Sequence, residues 1–415
     1  MNAPRIYFDH NATTPLDPEV LAAMSAAGGR FFANPSSLHA EGRAARQAVE
    51  QARDEVAALL AAAPSEIVFT SGGTEGNNLA VLGAARAARQ RGGPAHVISS
   101  PLEHPSVRAA LAQLRDEGFT ITLLPVDEQG RLMPAVLRAA LGAQPASLVS
   151  LSLCNHELGN LYPIAELARA AHAAGARFHC DAVQAAGRVP IDVRALEVDL
   201  LTLSAHKLAG PKGVGALYCR GAGSAAGSKA VVGELAIAPL LVGGQQEKGR
   251  RAGTENVPGI VGLGRACKLA RERLATAAVR IAGLRDRLEG RLLALPGARR
   301  HGDPDARAPG TANLAFAGVE GELLFMNLDL RGVAVSTGAA CSSGSPEPSP
   351  VLLALGLLPG AALEAVRFSL GSTNTEVEVD QVAKWVEEII LQVRALAAPG
   401  GLPDGLSGTG AVQFQ

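Results

Sequence analysis

The chain has 415 residues, 47% of them hydrophobic and 19% charged, and a formal net charge of −1. That length exceeds one small core and predicts two domains, or one large domain with a lobe. The balanced charge, without blocks of Lys or Arg, excludes a general polyanion partner, so no direct nucleic-acid binding is expected; no run reaches the ~18 apolar residues of a membrane span.

In chain order, Met1 to Asp9 lacks the basic and apolar regions of a signal peptide, and a cytoplasmic protein is expected. From about Glu66 to Cys219, short apolar runs alternate with amphipathic stretches. The runs include Ile67–Phe69, His96–Ile98, Thr120–Leu124, Leu148–Leu151 and Leu200–Leu203, and Ala165–Ala174 carries apolar residues at helical spacing. This alternation predicts an α/β domain with a mostly parallel sheet covered by helices. Runs that are apolar throughout predict strands buried on both faces. Arg265–Leu295 reads as a long helix between two lobes. A smaller α+β region follows, with strands near Ala312–Phe316, Gly332–Ser336 and Ala365–Leu370 and a last helix near Glu376–Leu396. The stretch from Pro399 to Gln415 is rich in Gly and Pro, lacks periodicity and is expected to be disordered. The expected division is an N-terminal segment, 1–15, associated with the small domain; a large domain, 16–264; a small C-terminal domain, 265–396; and a tail, 397–415.

Five cysteines occur, Cys154, Cys180, Cys219, Cys267 and Cys341, with no CxxC pair. Neither a disulfide framework nor a zinc site is signalled. The first four lie in apolar or helical patterns and read as small buried hydrophobes. Cys341 differs. It stands in Ser336-Thr337-Gly338-Ala339-Ala340-Cys341-Ser342-Ser343-Gly344-Ser345, among small residues that predict a loop rather than a packed strand.

Three stretches carry the chemistry. Ser71-Gly72-Gly73-Thr74-Glu75-Gly76-Asn77-Asn78 follows a predicted strand and precedes a helical stretch, so its backbone N–H groups form a candidate phosphate cup. It lacks the lysine of a Walker loop and the spacing of a dinucleotide fingerprint. Ser204-Ala205-His206-Lys207-Leu208-Ala209-Gly210 follows an apolar strand and places Lys207 at the strand's mouth. An amine desolvated there loses its proton readily and can form a Schiff base. Phe178-His179-Cys180-Asp181-Ala182-Val183-Gln184 places Asp181 at another strand end. Pyridoxal phosphate needs such a lysine, a phosphate cup and an acid near its ring nitrogen; Gln184 could reach the ring hydroxyl. A metal site at His179-Cys180-Asp181 is disfavoured, because adjacent strand residues point to opposite faces.

These stretches, together with Asp9–Pro15, Asn34-Pro35-Ser36-Ser37, Glu103-His104, Arg251–Asn256, Cys341 and Arg367-Phe368-Ser369, occur in the order seen in cysteine desulfurases. The chain resembles the NifS/IscS branch of the class V aminotransferases over roughly residues 5–395. The resemblance implies the fold type I of pyridoxal-phosphate-dependent transferases, with a large cofactor-binding domain and a small domain carrying the Cys341 loop. It implies removal of sulfur from L-cysteine, giving L-alanine and a Cys341 persulfide. Lys207 would carry the cofactor, and Gly73, Thr74, Ser204 and His206 would hold its phosphate. Thr254 would complete that cup from the other subunit of a homodimer. His104 would stack on the ring and move protons. Arg367 would bind the substrate carboxylate with Asn34 and His156. The sulfur would pass to an iron–sulfur scaffold or another acceptor, such as a tRNA-thiolation protein. Two positions depart from the family pattern: His156 replaces the second residue of Asn-Asn-Glu, and Ala252 replaces a serine. Within the same chemistry, a selenocysteine lyase or another class V enzyme is the alternative. A non-catalytic scaffold keeping the fold is the reading from a different class.

Overall fold

The apolar runs of the first half assemble edge to edge, which buries both faces of each strand beneath the intervening helices. The structure, a computed structural model, describes residues 5–221, 237–337 and 347–397. Its strands are β1 (Ile6–Tyr7), β2 (Ile67–Thr70), β3 (His96–Ser99), β4 (Thr120–Leu123), β5 (Leu148–Ser152), β6 (Arg177–Asp181), β7 (Leu200–Ser204), β8 (Gly215–Cys219), β9 (Ala298–His301), β10 (Thr311–Phe316), β11 (Val333–Ala334) and β12 (Ala365–Ser369). Strands β2 to β8 form a seven-stranded sheet in the order β2-β8-β7-β6-β5-β3-β4. Adjacent strands from β7 through β4 pair parallel, and β8 is antiparallel to both its neighbours. β8 was not among the predicted runs. The segment between Ser204 and Gly215 is too short for the crossover that a parallel return requires, so the chain turns back on itself.

β4 departs from the expectation of burial on both faces. Its residues are exposed or half-buried, because it closes the edge of the sheet. Elsewhere the expectation holds, and β2, β3, β5, β7 and β8 are buried at every position.

A second, smaller sheet is antiparallel in the order β12-β10-β9. It shares a separate core of Phe316, Leu324, Phe368, Val382 and Ile389 with the helices Gly321–Leu330 and Glu376–Ala397. The strand expected over Gly332–Ser336 is shorter and lies outside this sheet. Only β11 forms, and it pairs parallel with β1. The N-terminal strand therefore packs with residues far along the chain.

One helix, Val257–Leu292, serves both cores. It begins eight residues before Arg265, where the sequence predicted it to start. Asn256 caps it, accepting from the Gly259 N–H at 3.2 Å. Gly262 and Gly264 admit close neighbours: a Cβ on Gly264 would stand 2.7 Å from the Cα of Ala52, in the helix Ala40–Leu60. Val257, Leu263 and Leu269 enter the larger core, and Leu284, Leu288 and Leu292 the smaller.

Candidate active site

Parallel strands end with their carboxyl termini on one edge of the sheet, where α/β proteins bind ligands. Ser152, Asp181 and Ser204 are the last residues of β5, β6 and β7. After β2 the chain passes through Gly72, whose φ of 150° is open to glycine alone. The helix Gly73–Asn78 then begins, and continues through a π-helical turn, Leu79–Gly83, into Ala84–Gln90. A Cβ on Gly73 would lie 2.8 Å from Val183 Cγ2, and one on Gly76 2.6 Å from Thr202 Cγ2. The glycines thus let this helix settle directly on β7 and on the loop that follows Asp181.

A cavity of about 240 Å³ lies at this edge. Gly73, Thr74, His104, His156, Asp181, Gln184, Ser204, His206 and Lys207 all line it, with Ala12, Asn77, Ser106, Ser152, Cys154 and Val183. Residues spread over more than a hundred positions of sequence are thereby brought to one chamber.

Lys207 sits in the turn Ala205–Lys207 that follows β7. Its Nζ donates to the carbonyls of Asn11 and of Ala12, the latter at 2.8 Å. Burial, and then the charges of Arg188 and Arg367, lower its pKa to about 7. Asp181 accepts from Asn77 Nδ2 at 2.7 Å and from the Val183 N–H at 2.9 Å. Asn77 also donates to Ser106 Oγ at 2.9 Å, and Ser106 Oγ lies 2.8 Å from His104 Nδ1. The Ser106 N–H donates to the same Nδ1 at 3.1 Å, which leaves the proton of a neutral ring on Nε2. Burial and the neighbouring His156 lower the His104 pKa to about 4, so the ring is neutral. The two imidazoles meet edge to face, 5.4 Å between centroids. Burial and the Lys207 charge likewise lower His206 to about 4.

Buried polar atoms without partners mark what the chamber lacks. Gln184 donates to the Asn11 carbonyl at 2.9 Å, while its Oε1 and the Oδ1 of Asn77 are buried and unpaired. Such atoms ordinarily have a partner. A near-neutral lysine, a fixed carboxylate, unpaired acceptors and a glycine cradle fit pyridoxal phosphate.

Other expected site residues lie elsewhere. Arg367 is buried in β12 and does not line the cavity; it donates to the His156 carbonyl at 3.0 Å and to Asp9 at 2.7 Å, and its Nε has no partner. Asn34 is exposed and accepts from the Ser36 N–H at 2.9 Å. Thr254 is exposed too, in a segment that Arg251 ties to Glu75 at 2.9 Å. Cys341 lies outside the described residues, as do Gly338, Gly344, Pro346 and the tail from 398 onward. The remaining cysteines are buried. Among the described residues no group of three or more His, Cys, Asp or Glu could hold a metal ion, and no helix is long and apolar enough to cross a membrane.

Sequence reasoning missed several residues. Asn77, Ser106 and Ser152 wire the chamber. Glu103 is 1% exposed and accepts from the Ser152 N–H at 2.9 Å. Its Oε2 has no partner, and burial, with the Asp181 charge adding to it, pushes its pKa up to about 8. Asn11 and Arg188 join the chamber to the N-terminal segment. Asn11, Asn77 and Glu103 stand inside the motifs, but only the folded chain reveals their partners.

The aminotransferase class-V family model matches residues 6–382. A cysteine desulfurase of Cereibacter sphaeroides is 48% identical over 399 residues, covering 95% of this chain and 98% of that protein. The cysteine desulfurase IscS of an Anaeromyxobacter species is 46% identical, with 94% of each chain covered. A solved NifS-like protein superposes with a TM-score of 0.84 at 37% identity, covering 93% of this chain and 99% of that one. SspA, solved in complex with cysteine, superposes with a TM-score of 0.75 at 34% identity, covering 89% and 100%.

Proposed function

Because the chain belongs to the class-V aminotransferase family, we propose that its chamber is organised for one overall reaction, in which L-cysteine and the Cys341 thiol become L-alanine and a Cys341 persulfide. The activity is that of a pyridoxal-phosphate-dependent cysteine desulfurase. The observation that carries the residue assignment is Lys207, a half-buried amine in the turn after β7, in one cavity with Asp181 and His104 and with its pKa lowered to about 7.

Pyridoxal phosphate, when bound, supplies an electron sink for the bonds at the substrate α-carbon. Lys207 carries it and exchanges a proton at that carbon, a task suited to an amine whose pKa lies near 7. Asp181, held by Asn77 and the Val183 N–H, offers a fixed negative charge to the ring nitrogen. Thr74, Ser204, His206 and the Gly73 backbone hold the phosphate, with Thr254 of the partner subunit completing the cup in a homodimer. Gln184 reaches the ring hydroxyl. His104 would lie against the ring and help move protons, its neutral imidazole held by the Ser106 N–H at Nδ1. Arg367, with His156 and Asn34, takes the substrate carboxylate; its unpaired Nε–H is a donor in waiting. The Cys341 thiolate attacks the substrate sulfur, so that an S–S bond forms as the C–S bond breaks.

The Cys341 loop then presents the persulfide to an acceptor, an iron–sulfur scaffold or another sulfur-accepting protein. The large domain, 16–264, supplies the chamber, and the small domain, 265–396, supplies the loop. The reaction is cytoplasmic in this reading.

The test is release of alanine and sulfide from L-cysteine, with a reductant, by the cofactor-loaded chain and by its Cys341→Ala variant. Both products are expected in equal amounts from the parent and neither from the variant, which keeps the cofactor's colour. Equal turnover in the two proteins overturns the assignment of Cys341.

A further inference from the structure

Residues His10–Thr14 act as a partition. Ala12 lines the chamber described above, whereas His10 and Thr14 line a second cavity of about 210 Å³. Lys207 lines both, with its Nζ on the carbonyls of Asn11 and Ala12. The second cavity is largely apolar, walled by Leu208, Leu269, Leu274, Ala277, Ile281 and Leu370.

Its charge is one-sided. Asp17 is the sole acid in the wall, and Arg273 engages it at 2.8 Å. Arg188 has no such counterpart. Among the described residues no carboxylate pairs with it, and its guanidinium donates only to neutral oxygens, the Asn11 side-chain amide and the His10 carbonyl, the latter at 2.9 Å. Burial and the Arg367 charge lower its pKa to about 10, as an uncompensated cation requires. His10, 3% exposed, leaves its Nε2 without any partner. An uncompensated cation on a largely apolar wall calls for an anion.

We propose that this second cavity binds a small molecule with one carboxylate and a short apolar body. The carboxylate sits on Arg188, whose fork suits it, and the body lies along Leu269, Leu274 and Ile281. The volume is below the roughly 300–1,000 Å³ of drug-sized sites, so the body is short. Because Lys207 lines both cavities, an occupant packs against the cofactor-carrying residue.

Calorimetric titration of the cofactor-loaded full chain with hexanoate tests this, with hexan-1-ol and hexylamine as matched controls. Loading occupies the cofactor's place in the first chamber, and Ala277→Phe, which alters the second cavity alone, separates binding there from binding at the substrate's place beside the cofactor. Hexanoate is expected to bind, the two controls about ten-fold or more weakly, and Arg188→Met and Ala277→Phe each to lose about ten-fold or more. Ala277→Phe fills the cavity without touching the charge. Should one variant fail to fold, the other and the control ligands still decide. Three results overturn the proposal: no hexanoate binding, equal binding of hexanol, or binding unchanged by both substitutions. A fourth does so as well, binding to the cofactor-free chain alone, which puts hexanoate in the first chamber. None of these outcomes depends on desulfurase turnover.

Discussion

A lysine amine in water keeps its proton to about pH 10. At Lys207, burial first and the charges of Arg188 and Arg367 second bring that value to about 7. Covalent attachment of pyridoxal phosphate needs the neutral amine. Its rate on the cofactor-free chain should therefore rise with pH to about 7 and level off above it, followed by absorbance; a rise continuing toward pH 10 would refute the desolvated amine. Glu103 is displaced in the opposite sense, up to about 8, by burial and then by Asp181. Its folded-state pKa exceeds the unfolded value, about 4.3. The folded chain thus binds the extra proton across that window, and this contribution to stability falls as pH rises through it. Glu103→Gln keeps an acceptor for the Ser152 N–H and cannot ionise. Between pH 5 and pH 8 the parent should lose about 2–4 kcal/mol relative to the variant, the linkage of the proton that the folded chain holds and the unfolded chain releases. Denaturant melts at the two pH values check this, and parallel behaviour of the two proteins would count against a neutral Glu103.

At the scale of elements, the helix Val257–Leu292 shows how one residue type acts in two ways. Gly264 abuts Ala52, where a Cβ would meet backbone at 2.7 Å, while a Cβ on Gly283 would meet nothing within 4 Å. Gly264→Ala should destabilise by about 1–3 kcal/mol through overpacking. Gly283→Ala should stabilise by roughly 0.5–1 kcal/mol, because alanine loses less conformational entropy in a helix. Urea unfolding of the pair measures both signs, and a shared sign would contradict the packing described. Nothing in the sequence distinguishes these two glycines, and the sequence pattern starts the helix only at Arg265. Strand existence, in contrast, was legible from apolar runs alone, because β2, β3, β5 and β7 are buried on both faces and need no polar alternation. β8 escaped, since its run follows a glycine-rich turn that hides where the strand begins.

For the whole molecule, Asn11 ties the two lobes. Its N–H donates to Ser369 Oγ at 2.9 Å and its Nδ2 to Thr311 Oγ1 at 3.0 Å, both in the smaller sheet. On the other side, its carbonyl accepts from Gln184 and Lys207 and its Oδ1 from Arg188. Asn11→Ala removes one of the two oxygens that Arg188 donates to and should cost about 1–3 kcal/mol, with a matching fall in cofactor retention on gel filtration; unchanged stability would show the two lobes to be joined elsewhere. The sequence by itself determined the order of motifs, and with it the chemistry, because a lysine after a strand, an acid at a strand end and a glycine-rich turn are set by local pattern. It also determined the alternating architecture, since periodicity records burial. Only the tertiary structure decided which of those residues share a chamber, that Arg367 is engaged by Asp9, that Glu103 is entombed beneath the site and that the N-terminal segment divides one cavity from another. Those relations join residues from tens to hundreds of positions apart, and desolvation and ion pairing have no magnitude until such distances are fixed.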